Sequence, residues 1–238
     1  MIFLCFSVKD RVPLINDFYN YLSGFGLEIW YDRRNIFLGD DRRKENINNG
    51  ANNPNVHYAV VFYSDNLRNG NICLEEFELL VKRYANKEIT IFPVFLSTVP
   101  SEIDERFEIC KTLVYKQINN QSDFPGLSLH IIAKITFDEI FGLKYNSIRE
   151  IEINYENRND LLYKLIIEYQ NIAKTNYNMR IAFLYSVYLL LSNSNQKNIF
   201  HHKTMSFIFH QNCLNELIDE KRELQIMENI ISYEFSNL

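Results

Sequence analysis

Short apolar runs alternate with amphipathic stretches over the first part of the chain. The runs fall at residues 2–6, 27–31, 56–62, 89–95 and 112–115. They are nearly continuous, as in strands of a parallel sheet that is covered on both faces. Helical segments are predicted between them, where apolar residues recur at helical spacing. Strands that alternate with helices in this way predict an α/β layer fold with a parallel sheet and right-handed crossovers.

Turn and capping residues place the helices between these runs. Gly24 and Gly26 are predicted to end the first helix. In the long polar loop 32–41, Gly39 supplies a left-handed turn before a helix that starts around Asp40. Further helices are predicted from Asn71, over 102–107 and over 127–141.

The absence of one glycine motif helps to predict the order of the strands. No Gly-x-Gly-x-x-Gly follows the first strand, which argues against a Rossmann dinucleotide domain. We therefore predict a flavodoxin-like five-stranded sheet, in which the first and third strands flank the topological switch point. Ligands bind there, outside the carboxyl ends of the strands. Residues 7–11 and 64–76 are thus predicted to be neighbours in space.

The pattern changes after residue 142, where strand-like runs cease. Residues 157–160 are predicted to cap a helix, and a last helix is predicted from Asn212. The stretch 179–191 is apolar nearly all round, which predicts a buried central helix. We therefore divide the chain into an α/β domain over 1–142 and an all-helical extension over 143–238. The extension is predicted to sense a trigger or to drive self-assembly.

One carboxylate in the helix predicted from Asn71 is unusually placed. The helical wheel puts Glu75 and Glu78 on the far side from the apolar stripe, but Glu76 at its edge, one turn before Leu80. An acid beside apolar surface, just after the carboxyl end of a strand, is a candidate catalytic group. The alternative is that Glu76 is solvated and only favours the positive end of the helix dipole.

Composition narrows the class of protein. The chain has 238 residues and a formal net charge of −5, which argues against a nucleic-acid partner. The longest apolar run, 181–191, is far shorter than the ~20 residues of a membrane span. These features predict a soluble, cytoplasmic protein that binds neither nucleic acid nor membrane.

Cysteine and histidine spacing predicts no metal site. The four cysteines are far apart and form no Cys-x-x-Cys pair, which is typical of reduced thiols in a cytosolic protein. His201, His202 and His210 lack further ligands at the spacing of a zinc site.

Several segments, in the same order and at similar spacing, resemble those of TIR (Toll/interleukin receptor) domains. They are Phe-Leu-Cys-Phe-Ser at 3–7 with Asp10, Gly-Leu-Glu-Ile-Trp-Tyr-Asp at 26–32 with Gly39, Tyr63-Ser64 with Ile-Cys-Leu-Glu-Glu-Phe at 72–77, Phe-Pro-Val-Phe at 92–95, and Val-Pro-Ser at 99–101. The third segment departs from the family in having Ile72 where tryptophan is common.

The resemblance implies an NAD⁺-consuming enzyme with Glu76 as its catalytic carboxylate. NAD⁺ would be the substrate, with no further cofactor, and its nicotinamide–ribose bond would be cleaved to ADP-ribose or a cyclic isomer. The residues implied to bind NAD⁺ are Phe6, Ser7, Lys9, Asp10, Arg11, Trp30, Asp32, Ser64 and Cys73. The family further implies a homo-oligomer formed through the TIR domain, an effector or sensor as partner, and a role in antiphage defence or immune signalling.

Two other functions fit the same sequence. Many TIR domains are adaptors that only bind other TIR domains, and an enzyme acting on another N-riboside would use the same carboxylate. Individual residues also have simpler roles: Ser7 can cap the first helix, Lys9 and Arg11 can be solvated, and Trp30 can belong to the core. The chemistry nevertheless suits one carboxylate, because nicotinamide leaves as a neutral amide and needs no general acid.

Overall fold

A computed structural model of the chain describes residues 1–97, 103–156, 160–191, 198–213 and 220–238. These residues form two compact units, Met1–Phe124 and Pro125–Leu238. The helix predicted over 127–141 therefore lies in the second unit, and the domain division at residue 142 stays a prediction. Within the described ranges, no helix has the length and apolarity needed to cross a membrane.

The first unit contains a five-stranded parallel sheet in the order β2-β1-β3-β4-β5. The strands are β1 (Ile2–Cys5), β2 (Ile29–Trp30), β3 (Tyr58–Tyr63), β4 (Thr90–Leu96) and β5 (Lys116–Ile118). This order confirms the predicted flavodoxin-like fold. β1 and β3 are adjacent and in register, with Ile2 opposite Tyr58, so both carboxyl ends open at the switch point.

Helices cover the sheet and bury its apolar side chains. Those of the first unit are α1 (Asn16–Ser23), α2 (Asp32–Asn35), α3 (Arg42–Lys44), α4 (Asp65–Arg68), α5 (Asn71–Ala85) and α6 (Glu108–Thr112). A wide π-helical segment, Glu45–Ala51, continues α3. The ring of Phe18 in α1 packs edge-on against Phe62 of β3, whereas Phe77 of α5 packs against Phe107. Aromatic contacts of this kind fix the helices on the sheet.

Two predicted elements of this unit are wrong in position, and a third begins two residues later than expected. The fifth strand was expected over 112–115, but α6 extends to Thr112 and β5 begins only at Lys116. Val114 is 89% exposed, so the apolar run there does not mark a buried strand. The helix expected around Asp40 begins at Arg42, because the side chain of Asp41 caps it. The helix expected over 102–107 is a 3₁₀ turn followed by α6, and residue 102 lies outside the described residues.

The second unit is helical, as predicted. Its helices are α7 (Phe124–Ile140), α8 (Ile148–Tyr155), α9 (Leu161–Asn171), α10 (Tyr177–Leu191), α11 (Ile199–Cys213) and α12 (Glu220–Ser236). Asp160 caps α9 with its side chain, as expected, while residues 157–159 are not described. The sequence did not reveal α8 or α11, and Asn212 lies in α11 instead of starting the last helix. The predicted central helix is α10, which packs against α9, α11 and α12. Its burial is incomplete, because Leu189 and Leu190 are 40% and 37% exposed.

A buried histidine connects three helices of the second unit. His201 of α11 has no exposed side-chain surface and contacts Glu139 of α7 and Glu234 of α12, at 2.7 Å from Nε2 and 3.0 Å from Nδ1. Burial by itself lowers the pKa of His201, but the two carboxylates outweigh it and the pKa is raised above its usual value. The imidazole is thus held in its charged form, with both nitrogens donating.

We expect this triad to make the second unit less stable at alkaline pH. A raised folded-state pKa means that the stabilisation is complete below the unfolded pKa and is lost as pH rises through the folded pKa. His201→Gln should therefore remove part of the alkaline loss of stability. Urea unfolding of both proteins, followed by circular dichroism at several pH values, measures this change. Parallel pH curves would exclude His201 as its source.

Candidate active site

A cavity opens at the carboxyl ends of β1 and β3, where the strand order reverses. Its volume is about 360 Å³, within the range of small-molecule sites. Its wall comes from the segment after β1, from the start of α2, from the α3 region and from the first turns of α5. The lining residues are Phe3, Leu4, Phe6, Ser7, Val8, Lys9, Trp30, Asp32, Arg42, Asn46, Gly70, Asn71, Ile72, Cys73 and Glu76.

Glu76 is the buried acid of this cavity. Only 4% of its surface is exposed, although it lies in the second turn of α5. Burial raises the pKa of Glu76 to about 8, the negative charge of Asp32 adds to the rise, and Arg42 and a hydrogen bond from Asn46 oppose it. A carboxyl group that lies in a cavity and has a pKa close to neutral pH is the type of group that enzymes use. The solvated alternative for Glu76 is therefore excluded.

Asn46 is a polar contact of Glu76 that the sequence did not reveal. Its side-chain oxygen accepts a hydrogen bond from Trp30 Nε1 at 3.5 Å, and hydrogen bonding by its side chain lowers the pKa of Glu76. Gly50 allows this packing, because a Cβ there would lie 2.8 Å from Trp30 Nε1. A signal did exist: Asn46 and Gly50 are four residues apart, which places them on one face of a helix.

Asp32 lies between two arginines at the edge of the cavity. Its Oδ2 accepts from Arg42 at 3.2 Å and from Arg11 at close range. Arg11 is further held over the rings of Phe6 and Tyr31, at 5.5 and 5.9 Å from their centroids. The Arg42 side chain is 45% exposed and lines the cavity, so it is accessible to an anionic group of a ligand. The sequence did not single out Arg42.

The predicted site residues divide into two groups. Phe6, Ser7, Lys9, Trp30, Asp32, Cys73 and Glu76 all line the cavity. Asp10, Arg11 and Ser64 are not part of its wall. Asp10 accepts hydrogen bonds from Ser64 Oγ at 2.5 Å and from Asn66 Nδ2 at 2.6 Å, which joins the segment after β1 to the segment after β3. These contacts lie outside the cavity wall, and binding of NAD⁺ by any of the predicted residues stays a prediction.

The thiols near the cavity are unsuited to nucleophilic chemistry. Cys5, Cys73 and Cys110 are free and buried. Burial raises the pKa of Cys73 to about 11 and that of Cys110 to about 12, so both thiols are protonated at neutral pH. Because the thiolate is the reactive form, the candidate reactive group of this cavity is Glu76 and not Cys73.

The chain is similar to several known proteins. A family model described as TIR domain matches residues 2–129. A relative named 2′ cyclic ADP-D-ribose synthase BtTIR, from Bacteroides thetaiotaomicron, is 28% identical over 101 residues, which cover 42% of this chain and 34% of the relative. The match thus spans about a third of that relative's length. The TIR domains of the activated Roq1 resistosome recognising the effector XopQ align with 56% of this chain and 98% of theirs, at 18% identity and a TM-score of 0.45.

Proposed function

The chain belongs to the TIR domain family, and we propose that it is an enzyme that cleaves the nicotinamide–ribose bond of NAD⁺ with Glu76 as its catalytic carboxylate. The observation that carries this proposal is a single buried acid, 4% exposed, in a cavity at the switch point of the sheet. The name of the relative from Bacteroides thetaiotaomicron, a cyclic ADP-ribose synthase, supports the same class of chemistry.

The reaction needs one carboxylate. When the bond between ribose C1′ and the nicotinamide nitrogen breaks, its electron pair stays on that nitrogen and the cationic ring becomes a neutral amide. Ordinary glycosidases need a second carboxyl group to protonate the leaving oxygen, but this leaving group requires no proton. The remaining task is to stabilise the positive charge that develops on the ribose, and a preorganised carboxylate does this electrostatically.

Binding of NAD⁺ should bring Glu76 into its charged form. Burial raises the pKa of Glu76 to about 8. In the protein without substrate, the Glu76 carboxyl group is therefore mostly protonated at neutral pH. A positively charged nicotinamide ring beside the carboxyl favours the anion and lowers that pKa. The anion then lies in a cavity of low dielectric, where its interaction with the developing cation is strong.

The diphosphate of NAD⁺ suits the basic residues Lys9 and Arg42 in the cavity wall. Lys9 is exposed and Arg42 is 45% exposed, and both line the cavity that contains Glu76. Their charges complement a diphosphate, and the fork of Arg42 can hold two phosphate oxygens. Attack on C1′ by water would give ADP-ribose, whereas attack by another hydroxyl of the same molecule would give a cyclic isomer. In both cases the attacking oxygen loses a proton.

A second candidate function is a TIR adaptor, which is favoured by the loop before α3. Phe37 and Leu38 in this loop are 75% and 107% exposed, which is unusual for large apolar side chains. Such a loop suits contact with another TIR domain. The same contact is compatible with an enzyme that is active as a homo-oligomer, and activity would then rise more than proportionally with protein concentration.

The test is NAD⁺ consumption by the purified chain over a range of protein concentrations, with products separated by chromatography. We expect release of nicotinamide together with ADP-ribose or a cyclic isomer. The rate should increase as pH rises through about 8 and level off above that, because the free carboxyl must lose its proton. Nucleosides assayed in parallel test the N-riboside alternative. A protein that consumes no NAD⁺ at any concentration would favour the adaptor.

A further inference from the structure

Arg83 is an almost completely buried cation on the same helix as Glu76. Only 6% of its surface is exposed. Its Nη1 donates to the backbone oxygens of Ala51 at 2.6 Å and Asn53 at 3.1 Å, and its Nη2 donates to that of Val56 at 2.8 Å. Its Nε contacts Glu88 at 3.1 Å. A buried guanidinium that binds three carbonyls fixes the path of the chain between residues 51 and 56.

The segment held by Arg83 is the one that carries Asn46. Ala51 is the last residue of the π-helical segment that begins at Glu45. Local hydrogen bonds connect the end of this segment to its start, because the amide of Asn52 donates to Ile47 O at 2.8 Å and that of Asn53 donates to Gly50 O at 3.0 Å. We expect a displacement at Ala51 to change the position of the turn that begins beside Ile47.

The segment is thus attached to α5 at two points. Glu76 and Arg83 are seven residues apart, which places them on one face of the helix about 10 Å from each other along its axis. Asn46, near the start of the segment, lines the same cavity as Glu76 and lowers its pKa, and Arg83 binds Ala51 at the end of the segment.

We propose that Arg83 is a positioning residue for the reaction: it acts through the segment Glu45–Ala51 to keep the Asn46 side chain beside Glu76 in the cavity wall. This inference rests on the function proposed above for Glu76. Arg83 does not line the cavity, so it does not touch the substrate. Its loss should weaken the Asn46–Glu76 hydrogen bond, which stabilises the carboxylate over the carboxylic acid.

The other charges near Glu76 are independent of Arg83. Asp32 and Glu75 raise the pKa of Glu76 and Arg42 lowers it, while the neighbouring thiols of Cys5 and Cys73 are held protonated by burial. Losing the hydrogen bonding of Asn46 removes an interaction that favours the anion, so the pKa of Glu76 should rise. We expect a rise of about one unit, equivalent to a tenfold smaller carboxylate fraction at pH 7.

The first readout is the pH profile of kcat/KM for Arg83→Gln. We expect a loss of about tenfold at pH 7 that is largely recovered at pH 9 to 10, with Arg83→Lys giving a smaller shift. Asn46→Ala should cause the same shift, and the double variant should show less than the sum of both. The matched control is Lys82→Gln, which removes one positive charge from the exposed side of the same helix.

The second readout does not depend on activity. The pKa of Glu76 is obtained from the pH dependence of the stability difference between Glu76 and Glu76→Gln proteins, measured with and without the Arg83 substitution. An unchanged pKa in folded Arg83→Lys and Arg83→Gln proteins would overturn the inference, even if both are less stable. A raised pKa in a chain that never cleaves NAD⁺ would instead refute the proposed function and leave the coupling of Arg83 to Glu76 in place.

Discussion

The Glu76→Gln variant should cleave NAD⁺ at least 100-fold more slowly than the wild type. Glutamine preserves the shape of the side chain but carries no charge to stabilise a cationic ribose, and removing one preorganised electrostatic group costs ~10²–10³ in rate. The measurement is nicotinamide release under conditions in which the wild type is active. The side chain is buried, with 4% of its surface exposed. Because glutamine has nearly the same shape as glutamate, the fold should persist, as circular dichroism would show.

The matched control is Glu78→Gln. Glu78 is exposed on the same helix, two residues from Glu76, so its substitution removes the same charge from a position outside the cavity wall. We expect its rate to stay within about twofold of the wild type, as for an ordinary surface substitution. Activity that survives in Glu76→Gln would exclude Glu76 and direct attention to Asp32, another carboxylate that lines the cavity.

The sequence predicted the sheet and the position of Glu76 because both follow from local patterns. Continuous apolar runs marked β1 and β3, and their adjacency at the switch point brought Lys9 and Glu76 to one cavity. The helical wheel then separated Glu76 from Glu78, whose side chains are buried and exposed, respectively. Periodicity reports which side of an element faces the core, and here that was sufficient to select the candidate catalytic residue.

The residues that sequence reasoning missed depend on contacts between distant segments. Asn46 reaches Glu76 across 30 positions, and Arg83 reaches Ala51 across 32. A polar residue at such a position looks like any surface residue until the fold buries it. Periodicity also failed at Tyr115 and Leu189, because a short apolar run predicts burial but does not tell whether another element covers it.

Glu76 should also make the first unit less stable as pH rises, and Glu76→Gln should reverse this loss. The pKa of Glu76 is about 8 in the folded protein against 4.5 in the unfolded chain. Between these values the folded protein binds more protons than the unfolded one, so stability falls with increasing pH. At 1.36 kcal/mol per pKa unit, the loss approaches about 4–5 kcal/mol above pH 8. The variant, which has no proton to lose, should keep that stability.

The chain offers a specific probe for this measurement. Trp30 is its single tryptophan and lies beside Asn46 in the first unit. Urea unfolding followed by tryptophan fluorescence at pH 5, 7 and 9 therefore reports on the unit that contains Glu76. His201 contributes a loss of the same sign in the second unit, but it is present in both proteins and cancels in their difference. Parallel curves of stability against pH for the two proteins would show that burial does not raise the pKa of Glu76.

The Glu76→Gln substitution is expected to lower activity and to raise stability at alkaline pH. This combination distinguishes a catalytic glutamate from a purely structural one. A structural glutamate that is replaced by an amide loses interactions and destabilises the protein. A catalytic carboxylate that is buried at a cost to stability behaves in the reverse way, because its charge is unfavourable until a cationic substrate arrives. A Glu76→Gln protein that is more stable at pH 9 and inactive towards NAD⁺ would show that this burial serves the reaction. A destabilised and inactive protein would assign Glu76 to the core.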